Sequence, residues 1–181
     1  MSISRRSLLG AGALGALGLS VPSLAAQGGT PKRAKNIIFC VSDGMSAGTM
    51  SMVDQLSRVQ AGKPSYWAWL MSQEYAVNGL QETRSLSSVV TDSAAAASAW
   101  GSGRRIWNAA LNEFPDGTKL RTLTQLLTEA KVRTGLVTTA TITHATPAGF
   151  CVNAPARDDQ AFIATQYLTS GVDVLMGGGS Q

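Results

Sequence analysis

Apolar residues follow two different periods along this chain, and the two kinds of segment alternate. Runs of consecutive apolar or β-branched residues predict strands at 36–42, 75–80, 135–140 and 172–176, the first of them buried. Apolar residues three and four positions apart predict helices at 46–60, 122–131 and 159–168, a short helix within 64–71, and an alanine-rich helix that starts near Ser93. This alternation indicates an α/β sandwich with a mainly parallel central sheet.

Several polar side chains come directly after predicted strands. Asp43 stands in an Asp-Gly turn, Asp92 and Ser93 follow a β-branched run, and His144 and Thr146 follow a third strand. Ligand sites of open α/β sheets gather at the carboxyl ends of the strands. A serine at a helix N-terminus faces the positive end of the helix dipole, which favours an anion such as phosphate, although an Asp-Ser pair is also a common helix cap.

The first 26 residues have the three regions of an export signal. The twin-arginine pair Arg5-Arg6 precedes a glycine- and alanine-rich apolar run at 8–21, and small residues at 22–26 offer a cleavage site. The run is too short and too rich in glycine to span a membrane. The sequence therefore predicts a twin-arginine signal peptide at 1–26, a linker at 27–35, and a protein that is exported to the periplasm or the extracellular space.

The basic charge of the chain lies partly in this signal. Without the two arginines of residues 1–26, the formal net charge falls from +4 to +2. No long run of Lys and Arg is present, so we expect no nucleic-acid partner, and Arg104-Arg105 is interpreted as a solvated pair. Cys40 and Cys151 could pair in an exported protein or remain buried free thiols.

Three segments in this order resemble the alkaline phosphatase family. The first ends in Asp43-Gly44, the second contains Asp92-Ser93, and the third begins at His144, with an arginine thirteen positions later. The likeness runs from about residue 36 to the end of the chain. It implies a three-layer α/β sandwich with a mainly parallel central sheet, of which 36–181 would be the N-terminal part of the catalytic domain.

The resemblance implies a catalytic role for three residues. Ser93 would be the nucleophile that becomes phosphorylated, Arg157 would clamp two phosphate oxygens, and Asp92 would position Arg157. The residue types suit this chemistry, because phosphoryl transfer needs positioning and positive charge around the transferring oxygens. A serine hydroxyl must be activated before it attacks, and only the arginine fork binds an oxyanion in a bidentate way.

The resemblance also implies two zinc ions and one magnesium ion. Asp43 would bridge one zinc and the magnesium, Ser93 would contact a zinc, and Thr146 would supply a hydroxyl ligand at the magnesium site. His144 falls where family members carry either Asp or His, and a histidine there would lower the preference for magnesium.

The chain has a single histidine, whereas zinc sites generally draw on several. In the family, the other zinc ligands lie in the C-terminal half, and members are much longer than 181 residues. We therefore expect the N-terminal fragment of a secreted, metal-dependent phosphomonoesterase, inactive by itself. Its partners would be phosphate monoesters and inorganic phosphate, and the full-length protein could be a homodimer.

Two alternatives stay open. A non-catalytic remnant would bind phosphate weakly through Ser93 and Arg157. Another hydrolase of the same superfamily, such as a phosphodiesterase or sulfatase, would carry a threonine or a modified residue as its nucleophile, which the Asp92-Ser93 pair does not favour. A hydrolase of the Ser-His-Asp type is not favoured, because the sequence does not place the lone His144 beside Ser93.

Overall fold

The computed structural model describes residues 34–179, so the predicted signal peptide at 1–26 lies outside the described residues. The described residues belong to two units that divide between Cys40 and Val41, and residues 34–40 contain neither helix nor strand. The elements of the second unit are, in chain order, α1 (Ala47–Ala61), α2 (Tyr66–Met71), α3 (Ser93–Ser102), α4 (Leu123–Glu129), β1 (Gly135–Thr141), α5 (Ala145–Ala148), α6 (Gln160–Tyr167) and β2 (Val174–Gly178).

The sheet pairs β1 with β2 in parallel. Gly135 lies opposite Val174 and Leu136 lies opposite Leu175, and the register shifts between Val137 and Thr141. Helices α5 and α6 connect the two strands in sequence, as a parallel pair requires, because its connection must cross back to the starting end. The predicted α/β class with parallel strands is therefore confirmed, as part of the larger sandwich that the sequence predicts.

The core lies between α3, α5 and the segment that follows α5. Its buried residues are mostly small: Ala94, Leu111, Ala145, Ala148, Cys151, Val152, Ala154, Ile163 and Tyr167. Small side chains allow α3 and α5 to approach until their backbones nearly touch. A Cβ built on Gly149 would lie 2.5 Å from the Cβ of Ala97, so only glycine fits there. This contact fixes the two helices whose N-termini carry the candidate site.

Side-chain caps define where most helices begin. Asp92 caps α3 by accepting a hydrogen bond from the N–H of Ala95, and Asp159 caps α6 in the same way. Thr122 and Gln125 form a reciprocal capping box at the start of α4. The predicted helices at 46–60, 122–131 and 159–168 are confirmed, with ends that differ by a few residues.

The predicted strands at 36–42 and 75–80 are wrong. Neither segment is in a strand, and most of their side chains are exposed, with Val77 98% exposed. The short run 89–91 before Asp92 is also not a strand. A strand exists only through pairing with a neighbour, and among residues 34–179 the paired strands are β1 and β2. Consequently Cys40 is exposed rather than buried, whereas Cys151 is buried, and both are free thiols.

Two helices have the predicted period and an exposed apolar face. In α1 the side chains of Val53, Leu56 and Val59 are exposed, and in α2 Trp67 and Leu70 are each 42% exposed. The pattern predicted both helices correctly, but the inward orientation that aromatic and apolar spacing predicts for Trp67 and Leu70 is wrong for the described part of the chain. None of the helices between residues 34 and 179 has the length and apolar character needed to cross a membrane.

Candidate functional site

Asp43 is the point where three distant parts of the chain meet. Its Oδ1 accepts a hydrogen bond of 3.1 Å from the hydroxyl of Ser93, and its Oδ2 accepts one of 2.8 Å from the hydroxyl of Thr146. The turn after it is possible because Gly44 has φ 67°, in the region that favours glycine. One carboxylate therefore joins the start of α3 to the start of α5.

Ser93 is the first residue of α3, and its position follows from the cap before it. Asp92 Oδ1 accepts from the N–H of Ala95 at 2.9 Å, which ends the extended backbone and begins the helix at Ser93. The Ser93 side chain consequently lies at the positive end of a helix of ten residues. An anion that reached Ser93 would be stabilised by that dipole.

Arg157 is held against Asp92. Its NH1 donates to Asp92 Oδ2 at 3.2 Å, and the two side chains are 22% and 25% exposed. The pair is thus half-buried, with the guanidinium still accessible. This contact joins the guanidinium to the residue that directly precedes Ser93 in the chain.

His144 caps α5 and contacts the other side of the guanidinium. Its Nε2 lies 3.2 Å from Arg157 NH2, and its Nδ1 lies 3.4 Å from the N–H of Thr146. A neutral imidazole has one acceptor nitrogen, whereas both neighbours are donors, so only one of these bonds forms in a given tautomer. The tautomer with Nδ1 as the acceptor caps α5, whereas the tautomer with Nε2 as the acceptor binds Arg157.

The structure brings all six predicted site residues together in two linked groups. One group is Asp43 with the hydroxyls of Ser93 and Thr146, and the other is Arg157 between Asp92 and His144. The groups are linked through the chain, at Asp92-Ser93 and at the first turn of α5. The roles of these residues stay predictions, but their convergence from well-separated positions is a finding.

Sequence reasoning missed two residues next to this site. Asn108 donates to the carbonyl of Val90 and accepts from the N–H of Asp92, and Ala109 donates its N–H to Asp92 Oδ2 at 2.9 Å. Neither carries a reactive group. The positive φ of Ala109, 67°, has no signal in the sequence, because alanine rarely adopts it.

A second candidate serine, Ser46, lies in a motif that can carry a nucleophile but lacks the surroundings that one needs. Residues 44–48 match the pattern Gly-x-Ser-x-Gly, whose serine serves as nucleophile when a strand leads into a tight turn and a helix. No strand precedes Ser46, its hydroxyl bonds to that of Thr49 at 3.1 Å, and His144 contacts Arg157 instead. The site therefore has Ser93 rather than Ser46 as its candidate nucleophile.

The fold and the site together define an α/β protein with a serine, an arginine and acidic side chains gathered at helix N-termini. Within that class the chain belongs to the alkaline phosphatase family, whose model matches residues 34–181. An alkaline phosphatase of Schizosaccharomyces pombe is 36% identical over 156 residues, which are 83% of this chain and 29% of the relative. The chain thus spans less than a third of that relative's length.

Solved structures agree with the family. The Thermus thermophilus alkaline phosphatase superposes with a TM-score of 0.73 at 39% identity, covering 77% of this chain and 29% of that one. A variant of the alkaline phosphatase from the Antarctic bacterium TAB5, with glutamate in place of one histidine, has Mg bound in its M3 site. It superposes with a TM-score of 0.58 at 30% identity, covering 71% of this chain and 36% of that one.

The donor atoms at Asp43 fit part of a magnesium site and do not fit two zinc ions. Asp43, Thr146 and Ser93 offer carboxylate and hydroxyl oxygens, which are the ligands of a hard cation. Between residues 34 and 179, no three His, Cys, Asp or Glu side chains lie close enough to hold a metal ion. Zinc requires three or four such ligands, and His144 faces Arg157 instead.

Proposed function

We propose that this chain contributes the nucleophile and the phosphate clamp of an exported phosphomonoesterase that works through a phosphoserine. One observation carries the proposal. Ser93 presents its hydroxyl to Asp43, and Asp92, the residue before it, binds the Arg157 guanidinium. A nucleophile and an oxyanion clamp placed side by side suit one phosphoryl group.

The first step is attack of Ser93 Oγ on the phosphorus of a phosphate monoester. The bond from phosphorus to the leaving oxygen breaks, and that oxygen takes a proton from solvent. The proton lost by Ser93 has a nearby acceptor, because the Asp43 carboxylate lies 3.1 Å from Oγ. Water then attacks the phosphoserine, the bond to Oγ breaks, Ser93 regains its proton and inorganic phosphate leaves.

Arg157 keeps free donors for the substrate while it is held in place. Each terminal nitrogen of a guanidinium carries two N–H groups. NH1 uses one on Asp92 and NH2 directs one at His144, so each nitrogen retains an N–H for a phosphate oxygen. Two such donors at fixed spacing stabilise the charge on the transferring oxygens.

Magnesium at the Asp43 and Thr146 oxygens would supply positive charge beside the phosphoryl group. For the two zinc ions that the family implies, we propose that the remaining ligands come from parts of the fold that this chain does not span. By "full-length enzyme" we mean a protein in which this chain is joined to that remaining part. The 181-residue chain alone should then have negligible turnover, even with added zinc and magnesium.

The proposal includes the domain organisation and the compartment. Residues 1–26 would be a twin-arginine signal, 27–35 a linker and 36–181 the first part of the catalytic domain. Replacing both arginines by lysine, as Arg5→Lys with Arg6→Lys, should leave the protein in the cytoplasm. Cell fractionation followed by immunoblotting tests this, and export unchanged by the double substitution would contradict the twin-arginine route.

Trapping of the phosphoserine tests the chemistry. The full-length enzyme is incubated with ³²P-labelled inorganic phosphate, quenched in acid and digested, and the labelled peptide is sequenced by mass spectrometry. Label should appear on Ser93 and disappear in Ser93→Ala. The matched control is Ser102→Ala, because Ser102 ends the same helix and its hydroxyl donates to the carbonyl of Ser98, away from Asp43 and Arg157. Phosphate binding without a trapped phosphoserine or turnover would favour the remnant.

A further inference from the structure

The Asn108 side chain is hydrogen-bonded to the backbone of the segment that precedes Ser93. Its Nδ2 donates to the carbonyl of Val90 at 3.0 Å, and its Oδ1 accepts from the N–H of Asp92 at 3.2 Å. The two bonds fall on either side of Thr91. A single amide side chain therefore replaces the strand pairing that this segment lacks, and it fixes the backbone that ends at Ser93.

Ala109 binds both members of the arginine–carboxylate pair. Its N–H donates to Asp92 Oδ2 at 2.9 Å, and its carbonyl accepts from the backbone N–H of Arg157 at 2.7 Å. These two bonds require the left-handed backbone that Ala109 adopts, with φ 67°. For a residue other than glycine this conformation is strained, so the surrounding contacts must hold it.

Residues 108–109 form a turn, and a backbone hydrogen bond of Asn108 anchors it. The Asn108 backbone N–H donates to the hydroxyl of Ser87 at 3.0 Å. The turn at 108–109 is thus connected to Ser87, to both ends of the Val90–Asp92 segment and to Arg157. Loss of this turn would remove the Ala109 N–H from Asp92 Oδ2, whereas the bond from the Ala95 N–H to Asp92 Oδ1 would remain.

We infer that Asn108 is a positioning residue, which sets the place of Ser93 relative to the Asp92–Arg157 pair through its own side chain and through Ala109. Its hydrogen bonds go to Val90, Asp92 and Ser87 and leave the Ser93 hydroxyl and the Arg157 guanidinium to other partners. The catalytic part of the inference rests on the proposed function, whereas the positioning part rests on the contacts alone.

The substitution that tests it is Asn108→Ala in the full-length enzyme, with Asn78→Ala as the matched control. Asn78 also donates its side-chain amide to a backbone carbonyl, that of Met71, but has no contact with the site. Should Asn108→Ala unfold, Ser87→Ala serves as the milder variant, because it removes the anchor of the turn and a 3.3 Å contact with the Ser85 hydroxyl but leaves the Asn108 side chain in place.

Hydrogen–deuterium exchange tests positioning without any catalytic assay. Exchange of the peptides that cover 90–96 and 156–160 should become faster in Asn108→Ala, and to a smaller extent in Ser87→Ala. It should stay at the wild-type rate in Asn78→Ala. Unchanged exchange in both site variants would overturn the inference.

A double-mutant cycle tests whether Asn108 acts through Arg157. We expect Asn108→Ala to lower kcat/KM for a chromogenic phosphate ester at least tenfold, and to weaken inhibition by inorganic phosphate in parallel. In the Arg157→Lys background the same substitution should cost much less, because partners in one network are not additive. Additive effects would overturn a role through Arg157. Turnover that survives Ser93→Ala would overturn the proposed function, while faster exchange would still support positioning.

Discussion

Gly101 and Gly149 face each other across the contact of α3 with α5, at a distance that admits no side chain. A Cβ on Gly101 would lie 2.0 Å from the carbonyl oxygen of Gly149. The contact is between backbones, so no rotamer change can relieve it. It holds the helix that begins with Ser93 against the helix that contains Thr146, and both hydroxyls thereby reach the same carboxylate.

Gly149→Ala should therefore destabilise the protein and separate the two hydroxyls. The new methyl group would meet Ala97 and the backbone of Ser98, and overpacking of this kind costs about 1–3 kcal/mol. Thermal unfolding followed by circular dichroism measures the loss. Gly48→Ala is the control, because its Cβ would meet only Ser46 Oγ at 3.8 Å within α1, and we expect a gain of about 0.5–1 kcal/mol. Equal stability of both variants would contradict the role given to the close contact.

Arg157→Lys should lower catalysis more than stability. An ammonium cannot hold Asp92 and present two spaced donors at once, and loss of one preorganised donor typically costs about 10²–10³ in kcat. We expect weaker inhibition by inorganic phosphate in the full-length enzyme and a melting temperature close to that of the wild type.

Arg121→Lys is the matched control for this change. Arg121 pairs with Glu129 on the surface, where both side chains are more than half exposed, and such pairs contribute little. If Arg157→Lys lowered the melting temperature and left phosphate inhibition unchanged, Arg157 would be structural.

Asp43→Asn should reduce the magnesium content of the full-length enzyme. The substitution keeps the shape of the side chain but removes the charge that a hard cation requires. Metal analysis by mass spectrometry of the purified proteins measures the loss, and activity should fall with it. Asp116→Asn is the control, since Asp116 is exposed and bonds to the N–H of Thr118 in a distant turn. Wild-type magnesium content in Asp43→Asn would exclude Asp43 as a ligand.

Stability should fall in alkaline solution because of Cys151. Burial raises the pKa of this thiol to about 12, whereas an unfolded cysteine has a pKa of about 8.5. Between these values the unfolded chain releases a proton that the folded chain keeps, so stability decreases as the pH rises, by at most about 1.4 kcal/mol per pH unit. Burial raises the pKa of Tyr167 as well, which adds a decrease of the same sign above about pH 10.

The melting temperature between pH 7 and pH 11 checks this effect. Cys151→Ala should lower the melting temperature at pH 7, and its melting temperature should decline less steeply above pH 9. Cys40→Ala should follow the wild type, because that thiol is exposed. A decline equally steep in Cys151→Ala would show that other groups control alkaline stability.

The helices were predictable because their signals are local. Period and caps indicate them, as Asp92 and Asp159 illustrate, and the same pattern gave the class of the fold. The strands at 36–42 and 75–80 failed because an apolar run forms a strand only if a neighbour accepts its hydrogen bonds. The exposure of α1 has a related reason: the period of Val53, Leu56 and Val59 indicates which face is apolar but not what covers it.

At the site, residue types were predictable and supporting contacts were not. Ser93, Asp43 and Arg157 carry chemistry that a motif can indicate, and the fold brings them together. Asn108 and Ala109 act through hydrogen bonds between backbone and side-chain atoms that are 16 to 18 residues apart in the chain. Ala109 also needs a positive φ that its residue type disfavours. No periodicity encodes such bonds.

The two hydrogen bonds at Asp43 close much longer loops of the chain than the bonds that cap the helices. The partners of Asp43 lie 50 and 103 positions away along the chain, whereas the caps at Asp92 and Asp159 each span three residues. Closing a long loop costs entropy before the contact repays it, so contacts of this range form late in folding. Helical structure should thus return early during refolding, and the carboxylate with its two hydroxyls should assemble among the last contacts. Since the twin-arginine route carries folded proteins, an enzyme exported by it would complete this slow step, and meet its metal ions, before it leaves the cytoplasm.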